Sequence, residues 1–363
     1  MQKSNDEFFI TDLYSHGQEH QLVVTSFIEM FNVHYPKSQF LLNSNYNGER
    51  TKNFIFDDSS IHNKIIKLIN RDILKLFNFI IYLPKIFLSR KKVVFLGLSN
   101  IQYFIILLIC RVLKIKCFIV QHSELEYLEN PKTLSQKLFA FSIKYLKGKS
   151  SFLILSKHIT PPLVLGDNFF KIDHPLPSQL KKFSNQDIIN NTKKLAIVGL
   201  LSDSHKSCNK IYDLEKLITD DVSLYAIGRN KGDFIINRDS RIKFIIWDKQ
   251  YSDDEFQNAI KDINCLLFFF SSNCYNKTAS GTIMDAIIYG KNIIALDHPA
   301  INSAAYRYKG LYTFKSIDDI SKFLKNNKLP KIDSTYLSDY IESRTLISIK
   351  NEDTNVIMKW LAN

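Results

Sequence analysis

Residues 265–296 read CLLFFFSSNCYNKTASGTIMDAIIYGKNIIAL, and this stretch decides the fold. An apolar run, Cys265–Phe270, ends in a polar loop, and a helical pattern then begins at the small residues Thr278–Thr282. A second apolar run, Asn292–Leu296, follows directly after Gly290 and Lys291. A strand, a helix and a second strand in this order predict two parallel strands joined by a crossover helix.

Similar short apolar runs recur along the rest of the chain, and segments with helical periodicity separate most of them. Together they predict strands at Phe8–Leu13, Gln39–Asn43, Val93–Gly97, Lys116–Gln121, Phe152–Leu155, Phe169–Asp173, Leu195–Gly199, Ser223–Gly228, Ile242–Ile246, Cys265–Phe270, Asn292–Leu296 and Leu311–Phe314. The stretch His174–Lys194 divides the runs into two groups, because it is polar, contains two prolines and has no apolar run.

These patterns predict an α/β chain of two Rossmann-like, doubly wound domains that face a cleft. We expect the first domain at residues 1–176 and the second at 192–335, with helical residues 336–363 packing back across the domains. In open sheets of this kind ligands bind at the carboxyl ends of the strands. Candidate functional residues are therefore sought directly after the predicted strands.

The composition narrows the class of partner. The chain has 363 residues and a formal net charge of +12, which favours anionic partners such as phosphates, nucleic acid or acidic lipid surfaces. It has no clustered basic-aromatic motif or helix-turn-helix pattern, so no nucleic-acid partner is predicted. The five cysteines lack metal-site spacing, and no metal is predicted. The first residues lack a secretion leader and no apolar run is long enough to span a membrane, so we expect a cytoplasmic protein.

The helix that begins near Ser280 is the strongest candidate site. Small residues at a helix start leave backbone N–H groups accessible, and the positive end of the helix suits a phosphate. Asp285, one turn into the helix, is placed to accept hydrogen bonds from sugar hydroxyls. The alternative interpretation is structural, because Thr282 and Asp285 also fit the spacing of a capping box.

In its order of elements, this region resembles the donor-binding region of GT-B-fold, nucleotide-sugar-dependent glycosyltransferases of the bacterial glycan-assembly type. Those enzymes carry Glu-x7-Glu before a helix and a strand that begins near a glycine. Asp285 falls on the second acidic position, Gly290 falls at the strand entry, and Lys277 stands at the first acidic position. A lysine suits contact with a phosphate or carboxylate, and the missing carboxylate favours an inverting reaction.

The resemblance implies a donor site in the second domain. Its residues would contact the nucleotide and its diphosphate, with no obligatory metal or cofactor. Around the helix start these residues are Lys277, Ser280, Gly281, Thr282 and Asp285. Lys206 would neutralise the leaving group, and Arg229 would be a further phosphate or base contact. The alternative for Lys206 and Arg229 is that each is an ordinary solvated cation after a strand.

For the first domain the resemblance implies an acceptor site. His16 and Gly17 follow the first strand and would lie beside the donor phosphate and the acceptor, and His122 would touch the donor sugar. Glu124 or Glu126 would deprotonate the acceptor hydroxyl as a general base. The alternative is that Glu124 and Glu126 are exposed acids that complement the dipole of a short helix.

One segment of the first domain is both basic and amphipathic. Residues 61–92 contain eight Lys or Arg and one acid, and a helix there places Lys64 and Lys67 on one side and Leu76, Phe77 and Ile80 on the other. Such a helix either packs its apolar side into the core or lies on an anionic membrane surface. Pro84 is expected to end or kink it.

These observations predict a glycosyltransferase that moves a sugar from a nucleotide diphosphate donor to a glycan or lipid-linked acceptor in surface polysaccharide synthesis. Two alternatives stay open. A nucleotide-sugar epimerase needs a similar diphosphate site, but it converts its substrate without an acceptor. A non-catalytic, basic binding protein for membranes or nucleic acid would need no such site.

Overall fold

The computed structural model describes residues 7–13, 20–43, 46, 50–54, 71–88, 91–122, 124–160, 166, 168–178, 193–248, 251–271, 275–278, 280–348 and 350–363, with only the backbone of 71–75 and 253. The chain divides into two compact units. Unit 1 comprises Met1–Ser178, Lys277–Ala279 and Arg344–Asn363, and unit 2 comprises Gln179–Asn276 and Ser280–Ser343. His16, Gly17 and most of the predicted linker lie outside the described residues.

The strands of both units are short and buried for the most part. In chain order they are β1 (Phe8–Asp12), β2 (Gln39–Leu42), β3 (Thr51–Asn53), β4 (Lys92–Gly97), β5 (Cys117–Gln121), β6 (Ser151–Ile154), β7 (Phe169–Lys171), β8 (Lys193–Leu201), β9 (Val222–Asn230), β10 (Lys243–Ile246), β11 (Cys265–Phe268), β12 (Asn292–Leu296) and β13 (Leu311–Phe314).

Helices connect most of these strands. They are α1 (Gln21–His34), α2 (Arg71–Leu88), α3 (Asn100–Val112), α4 (Leu134–Phe141), α5 (Asp203–Lys206), α6 (Lys210–Leu217), α7 (Asp253–Ile260), α8 (Gly281–Ile288), α9 (Pro299–Ala304), α10 (Ile317–Asn326), α11 (Ser334–Ser343) and α12 (Glu352–Ala362). A 3-10 turn spans Glu124–Leu128, and α4 continues into a π-helical turn, Ser142–Leu146. Among the described residues, no helix combines the length and the apolar character that crossing a bilayer requires.

The sheet of unit 1 has the order β3-β2-β1-β4-β5-β6-β7, and its neighbouring strands are parallel. Each side of the sheet carries its own apolar core. One core joins Phe27 of α1 and Trp360 of α12 to the strands. The other joins Phe79 of α2, Tyr103 of α3 and Phe139 of α4. Helices α2, α3 and α4 therefore cover one side of the sheet, and α1 and α12 cover the other.

The sheet of unit 2 has the order β10-β9-β8-β11-β12-β13 and is also parallel. This order repeats that of the first six strands of unit 1, with the chain reversing direction beside the first strand. Such a sheet with helices on both sides is the doubly wound Rossmann architecture. The predicted fold class is confirmed for each unit, and all twelve predicted strands are present.

Three local features go beyond what the sequence patterns specify. The short edge strand β3 was not predicted, because its sequence, Thr-Lys-Asn, has no apolar residue. Pro84 does not end α2, which continues to Leu88. Pro84 lies in the last two turns, where it removes one backbone hydrogen bond near the helix end. The apolar side of α2 is not packed in the core throughout, since Leu76, Phe77 and Ile80 are exposed.

Candidate functional site

In unit 2 the carboxyl-terminal halves of β8 and β9 run very close together, and two glycines make this approach feasible. Gly199 has a φ of +85° and Gly228 a φ of +152°, where a side chain would be strained. A Cβ atom on Gly228 would lie 1.8 Å from the carbonyl oxygen of Gly199. A Cβ atom on Gly199 would lie 2.7 Å from Cγ2 of Thr282. The glycines therefore let the strand ends meet the start of α8.

Helix α8 begins without a side-chain cap. Ser280 occupies the N-cap position, and its side chain makes no capping hydrogen bond. Its hydroxyl lies instead 3.1 Å from the hydroxyl of Thr282. Gly281 is exposed, and a Cβ atom there would meet nothing within 4 Å. The capping-box interpretation of Thr282 and Asp285 is wrong, because Thr282 is the second helical residue. The amino end of α8 is therefore available to an anion.

Lys206 brings a buried positive charge to the same place. Its Nζ donates to the carbonyl oxygen of Val198 at 3.3 Å and to the hydroxyl of Thr282 at 3.5 Å. Burial lowers the pKa of Lys206, while Cys208 and Asp285 act in the opposite direction. The interpretation of Lys206 as a solvated cation is thus wrong. Arg229, by contrast, is exposed at the end of β9.

Two aromatic residues beside this cluster were missed in the sequence. Trp247 directly follows β10, and its backbone N–H donates to the carbonyl oxygen of Gly228 at 2.9 Å. The rings of Trp247 and Tyr251 lie 4.5 Å apart. The hydroxyl of Tyr251 would be 3.9 Å from a Cβ atom on Gly199. The rule that ligands bind at strand carboxyl ends points to Trp247 as well, because it follows a predicted strand.

Lys277 and Thr278 group with unit 1 rather than with the start of α8. Lys277 forms an ion pair with Glu129, and the Thr278 hydroxyl donates a hydrogen bond to Glu126. Glu126 is otherwise exposed, as the structural alternative for this residue proposed. Both acids belong to the segment that follows β5.

In unit 1 the side chain of His122 is buried just beyond the end of β5. Its Nε2 lies 2.7 Å from the carbonyl oxygen of Leu96, and its ring contacts that of His20 at a tilt of 50° with 4.0 Å between centroids. Burial, followed by the nearby His20, lowers the pKa of His122 to about 4, against the opposing effect of Glu124. The imidazole of His122 is therefore neutral near pH 7, and its burial makes protonation of the ring unfavourable.

Glu124 is buried, contrary to the interpretation of an exposed acid. Its Oε2 accepts a hydrogen bond from the backbone N–H of His122 at 3.0 Å. The charge of Glu124 also raises the pKa of Tyr103, although burial is the larger cause. Glu124 thus holds the turn that carries His122, and it brings a negative charge close to the imidazole.

Two polar side chains at the strand ends of unit 1 are buried without a hydrogen-bond partner among the residues that the structure describes. These are the hydroxyl of Thr11 at the end of β1 and both side-chain atoms of Gln121 at the end of β5. Asp12, next to Thr11, is also buried, and its charge adds to burial in raising the pKa of Tyr46. Buried polar atoms ordinarily find a partner in the protein, in water or in a ligand.

A third histidine completes this group and was not predicted. His174 follows β7 and is buried, with Nδ1 at 3.2 Å from the carbonyl oxygen of Pro175. Its own carbonyl oxygen accepts a hydrogen bond from Arg344 at 2.9 Å. Burial lowers the pKa of His174 to about 3, and the charges of Arg344 and His122 act in the same direction. Among the described residues, no group of three or more His, Cys, Asp or Glu is placed to hold a metal ion.

No known protein-family profile matches the chain. No curated protein sequence matches it either. Solved structures do match over nearly the whole length. Anabaena HepE with UDP and glucose is 10% identical over 98% of this chain and 99% of that chain, with a TM-score of 0.60.

Two further structures match to a similar extent. The apo form of the lipopolysaccharide outer core galactosyltransferase WaaB is 14% identical over 98% of this chain and 99% of that chain, with a TM-score of 0.55. An α,α-trehalose-phosphate synthase from Burkholderia vietnamiensis is 6% identical over the same shares, with a TM-score of 0.56. Together with two parallel sheets of Rossmann strand order, these likenesses show that the chain has the GT-B fold.

Proposed function

We propose that this protein is a glycosyltransferase that moves a sugar from a nucleoside diphosphate sugar to a glycan or lipid-linked acceptor. The fold supports this proposal, because solved structures that share it include a lipopolysaccharide galactosyltransferase and a protein held with UDP-glucose. A uridine diphosphate sugar is accordingly the first donor to test. Surface polysaccharide assembly is the process that fits such an acceptor.

One observation carries the proposal: a buried lysine and an uncapped helix start meet over two closely packed glycines. Lys206 and the amino end of α8 present positive potential at one place, directly beside Gly199. A diphosphate matches this arrangement in charge. In sugar transfer the diphosphate gains negative charge as it leaves, and preorganised positive groups stabilise that charge.

The proposed roles in unit 2 follow from these contacts. Ser280, Gly281 and Thr282 bind the phosphates through the helix start, and Lys206 neutralises the leaving group. Asp285, half-buried one turn further on, accepts hydrogen bonds from sugar or ribose hydroxyls. Arg229 is assigned to an outer phosphate contact. Lys277, which groups with unit 1 and pairs with Glu129, keeps the phosphate contact that the resemblance implies.

In unit 1 we assign the acceptor reaction to the residues around His122. A sugar hydroxyl needs a general base because its own pKa is far above neutral. The buried carboxylate of Glu124 and the neutral imidazole of His122 are the candidates, with Glu126 as a third. His122 contacts the donor sugar in this proposal, and the lysine in place of a first acidic residue favours inversion of configuration. His16 and Gly17 complete the proposed phosphate and acceptor contacts.

We also propose that the reaction takes place on the cytoplasmic side of a membrane, with the protein bound peripherally. This location brings a soluble donor and a lipid-linked acceptor together. The chain carries a formal net charge of +12, which favours an anionic surface.

The decisive experiment measures thermal stabilisation by nucleoside diphosphates, since a ligand that binds only the folded state raises its stability. Uridine, guanosine, adenosine and cytidine diphosphates are compared on the purified chain. We expect one of them to raise the unfolding temperature and Lys206→Met to abolish the shift. Absence of a shift with all four nucleotides would refute the donor site.

A matched control is available in the same unit. Lys291 is also buried, and its Nζ donates to the carbonyl oxygen of Lys261 at 2.9 Å, away from the α8 start. Lys291→Met should preserve the nucleotide shift, whatever it does to the unfolding temperature. Equal loss of binding in the Lys206 and Lys291 variants would mean that the effect is structural. Consumption of the nucleotide sugar without an acceptor would instead favour an epimerase.

A further inference from the structure

Helix α3 is apolar on both of its sides. Its inner side, with Tyr103, Ile106 and Leu107, is completely buried against the sheet of unit 1. Its outer side carries Ile101, Leu108 and Val112, whose side chains are 40–70% exposed. A helix that is apolar all round is ordinarily covered on every side. The outer stripe of α3 therefore indicates a surface that a partner covers.

The neighbouring helix extends this apolar stripe. Phe141 at the end of α4 and Tyr145 in the π-helical turn are about half exposed. The ring of Phe141 lies 6.4 Å from that of Phe104, and Nη1 of Arg111 donates to the carbonyl oxygen of Tyr145 at 2.9 Å. These contacts join the outer sides of α3 and α4 into one continuous surface.

Helix α2 lies on the same side of the sheet, because Phe79 and Ile86 share a core cluster with α3 and α4. It too exposes apolar side chains outward. We call the combined surface the outer helical face; its exposed apolar residues are Leu76, Phe77, Ile80, Ile81, Leu88, Ile101, Leu108, Val112, Leu113, Leu134, Phe141 and Tyr145. Exposed apolar side chains that recur on three helices over one side of a sheet indicate an interaction site.

Cations predominate on the segments that form this face, and nearby acids include Glu7, which pairs with Lys91 at 3.1 Å, and Glu126 in the 3-10 turn before α4. Residues 73–123 contain eight Lys or Arg and no Asp or Glu, and residues 130–150 contain five Lys and no acid. Lys92, Lys116 and Lys149 lie at the amino ends of β4, β5 and β6. Next to burial, repulsion from Lys92 and Lys149 lowers the pKa of Lys116. Lys92 and Lys116 reach over the rings of Phe8 and Phe118, which belong to the core on the opposite side of the sheet. The exposed cations on the elements of the outer helical face itself include Lys85, Lys114, Lys137 and Lys144. The face thus combines exposed apolar side chains with positive charges.

We infer that the outer helical face docks this protein on an anionic lipid bilayer. The apolar side chains enter the interfacial layer while the lysines contact anionic headgroups. Charge complementarity favours this occupant over a second copy of the chain, whose identical face would carry the same positive charge. A nucleic acid would match the lysines but would leave the exposed aliphatic side chains without a partner.

The outer helical face lies over one side of the sheet, because α2, α3 and α4 share the core on that side. Asp12 and His122 stand at the carboxyl ends of β1 and β5, at an edge of the sheet. Docking on the outer helical face therefore does not require the candidate site of unit 1 to be covered. The inference rests on the proposed function only in that the acceptor is lipid-linked.

Vesicle sedimentation tests the inference on the full chain. We expect binding to vesicles of phosphatidylcholine with phosphatidylglycerol, weakening in high salt, and much weaker binding to phosphatidylcholine alone. The double variant Lys114→Gln, Lys144→Gln should weaken binding by about 25-fold, at roughly fivefold for each charge. The double variant Val112→Ser, Leu113→Ser should weaken it by roughly tenfold.

Unit 2 supplies matched controls, because Ile235 and Lys216 are exposed and lie outside the outer helical face. Ile235→Ser and Lys216→Gln should leave vesicle binding unchanged. Equal binding to neutral and anionic vesicles, or equal loss in face and control variants, would overturn the inference. So would tight binding of duplex oligonucleotides that the Val112→Ser, Leu113→Ser variant retains, or self-association that this variant abolishes.

Nucleotide-induced thermal stabilisation is measured on the same preparation to separate the two proposals. If a nucleoside diphosphate stabilises the protein but the protein does not bind vesicles, that result overturns the membrane inference alone. A protein that binds anionic vesicles but no nucleotide overturns the proposed donor site alone.

Discussion

Acid should destabilise unit 1 through its buried histidines. His122 and His174 have pKa values of about 4 and about 3, well below the ordinary 6.5. Between these values and 6.5 the unfolded chain binds protons that the folded chain excludes. The stabilisation is therefore fully present above pH 6.5 and is lost as the pH falls.

The size of the effect follows from the two shifts. For a histidine with an ordinary pKa when unfolded and a pKa of about 4 when folded, a change from about pH 7.5 to about pH 5 costs about 2 kcal/mol. His174 contributes a similar amount because its pKa is lower still. Together the two residues should remove about 4 kcal/mol from the free energy of unfolding of unit 1.

Urea unfolding followed by tryptophan fluorescence measures this loss for unit 1 alone. The chain has two tryptophans, and Trp360 is completely buried in the core of unit 1. In a Trp247→Phe background, Trp360 is the only reporter. His122→Asn and His174→Asn should each reduce the acid-induced loss in the free energy of unfolding of unit 1 by about 2 kcal/mol.

His205 is exposed in unit 2 and supplies the control, so His205→Gln should leave the pH dependence unchanged. The reasoning fails if the parent and the two unit 1 variants lose stability in parallel between the two pH values. That result would mean that the imidazoles are already protonated in the folded protein or are reached by water.

Further predictions concern packing and helix capping, each checked by thermal or urea unfolding. Gly228→Ala should destabilise unit 2 by about 3 kcal/mol or more, because the new Cβ would collide with Gly199. The control Gly232→Ala should cost only about 1 kcal/mol, because a Cβ there meets no atom within 4 Å. Similar losses of stability in the two variants would contradict the clash. Trp360→Ala should cost unit 1 about 4 kcal/mol and leave the unit 2 transition in place; loss of both transitions would disprove separate units. Ser252→Ala should cost about 1 kcal/mol, since Ser252 caps α7 in a capping box with Glu255, and Ser252→Asp should restore most of it.

The fold was largely predictable because its strands are apolar runs in a regular alternation with helices. Cys117–Gln121 and Asn292–Leu296 are buried along their whole length, as parallel strands covered on both sides require. Thr51–Asn53 was not predictable from pattern, since its pairing with β2 uses backbone groups alone and leaves polar side chains at the edge.

The candidate site was less predictable because its residues come from distant segments. The helix start near Ser280 is local and was found from sequence. His20, His122 and His174 meet only when β1, β5 and β7 lie in one sheet, and no spacing in the sequence indicates this. Lys206 has the sequence context of a surface lysine, and its burial follows from the close approach of β8 to α8.

The two sides of α2 show a limit of periodicity. The sequence indicates an amphipathic segment, and it leaves open whether the apolar side meets the core or another surface. In the structure Phe79 and Ile86 face the core while Phe77 and Ile80 face outward. When a helix is apolar on both sides, the sequence pattern alone does not tell which side packs against the core.

The division of the chain has a consequence for biosynthesis. Trp360 and Leu361 of α12 belong to the core of unit 1, yet all of unit 2 is translated before them. On the ribosome, unit 2 can therefore mature while unit 1 still exposes the side of its sheet that α12 later covers. A chaperone that shields apolar surface during translation would therefore bind unit 1 at a late stage, after unit 2 has already folded.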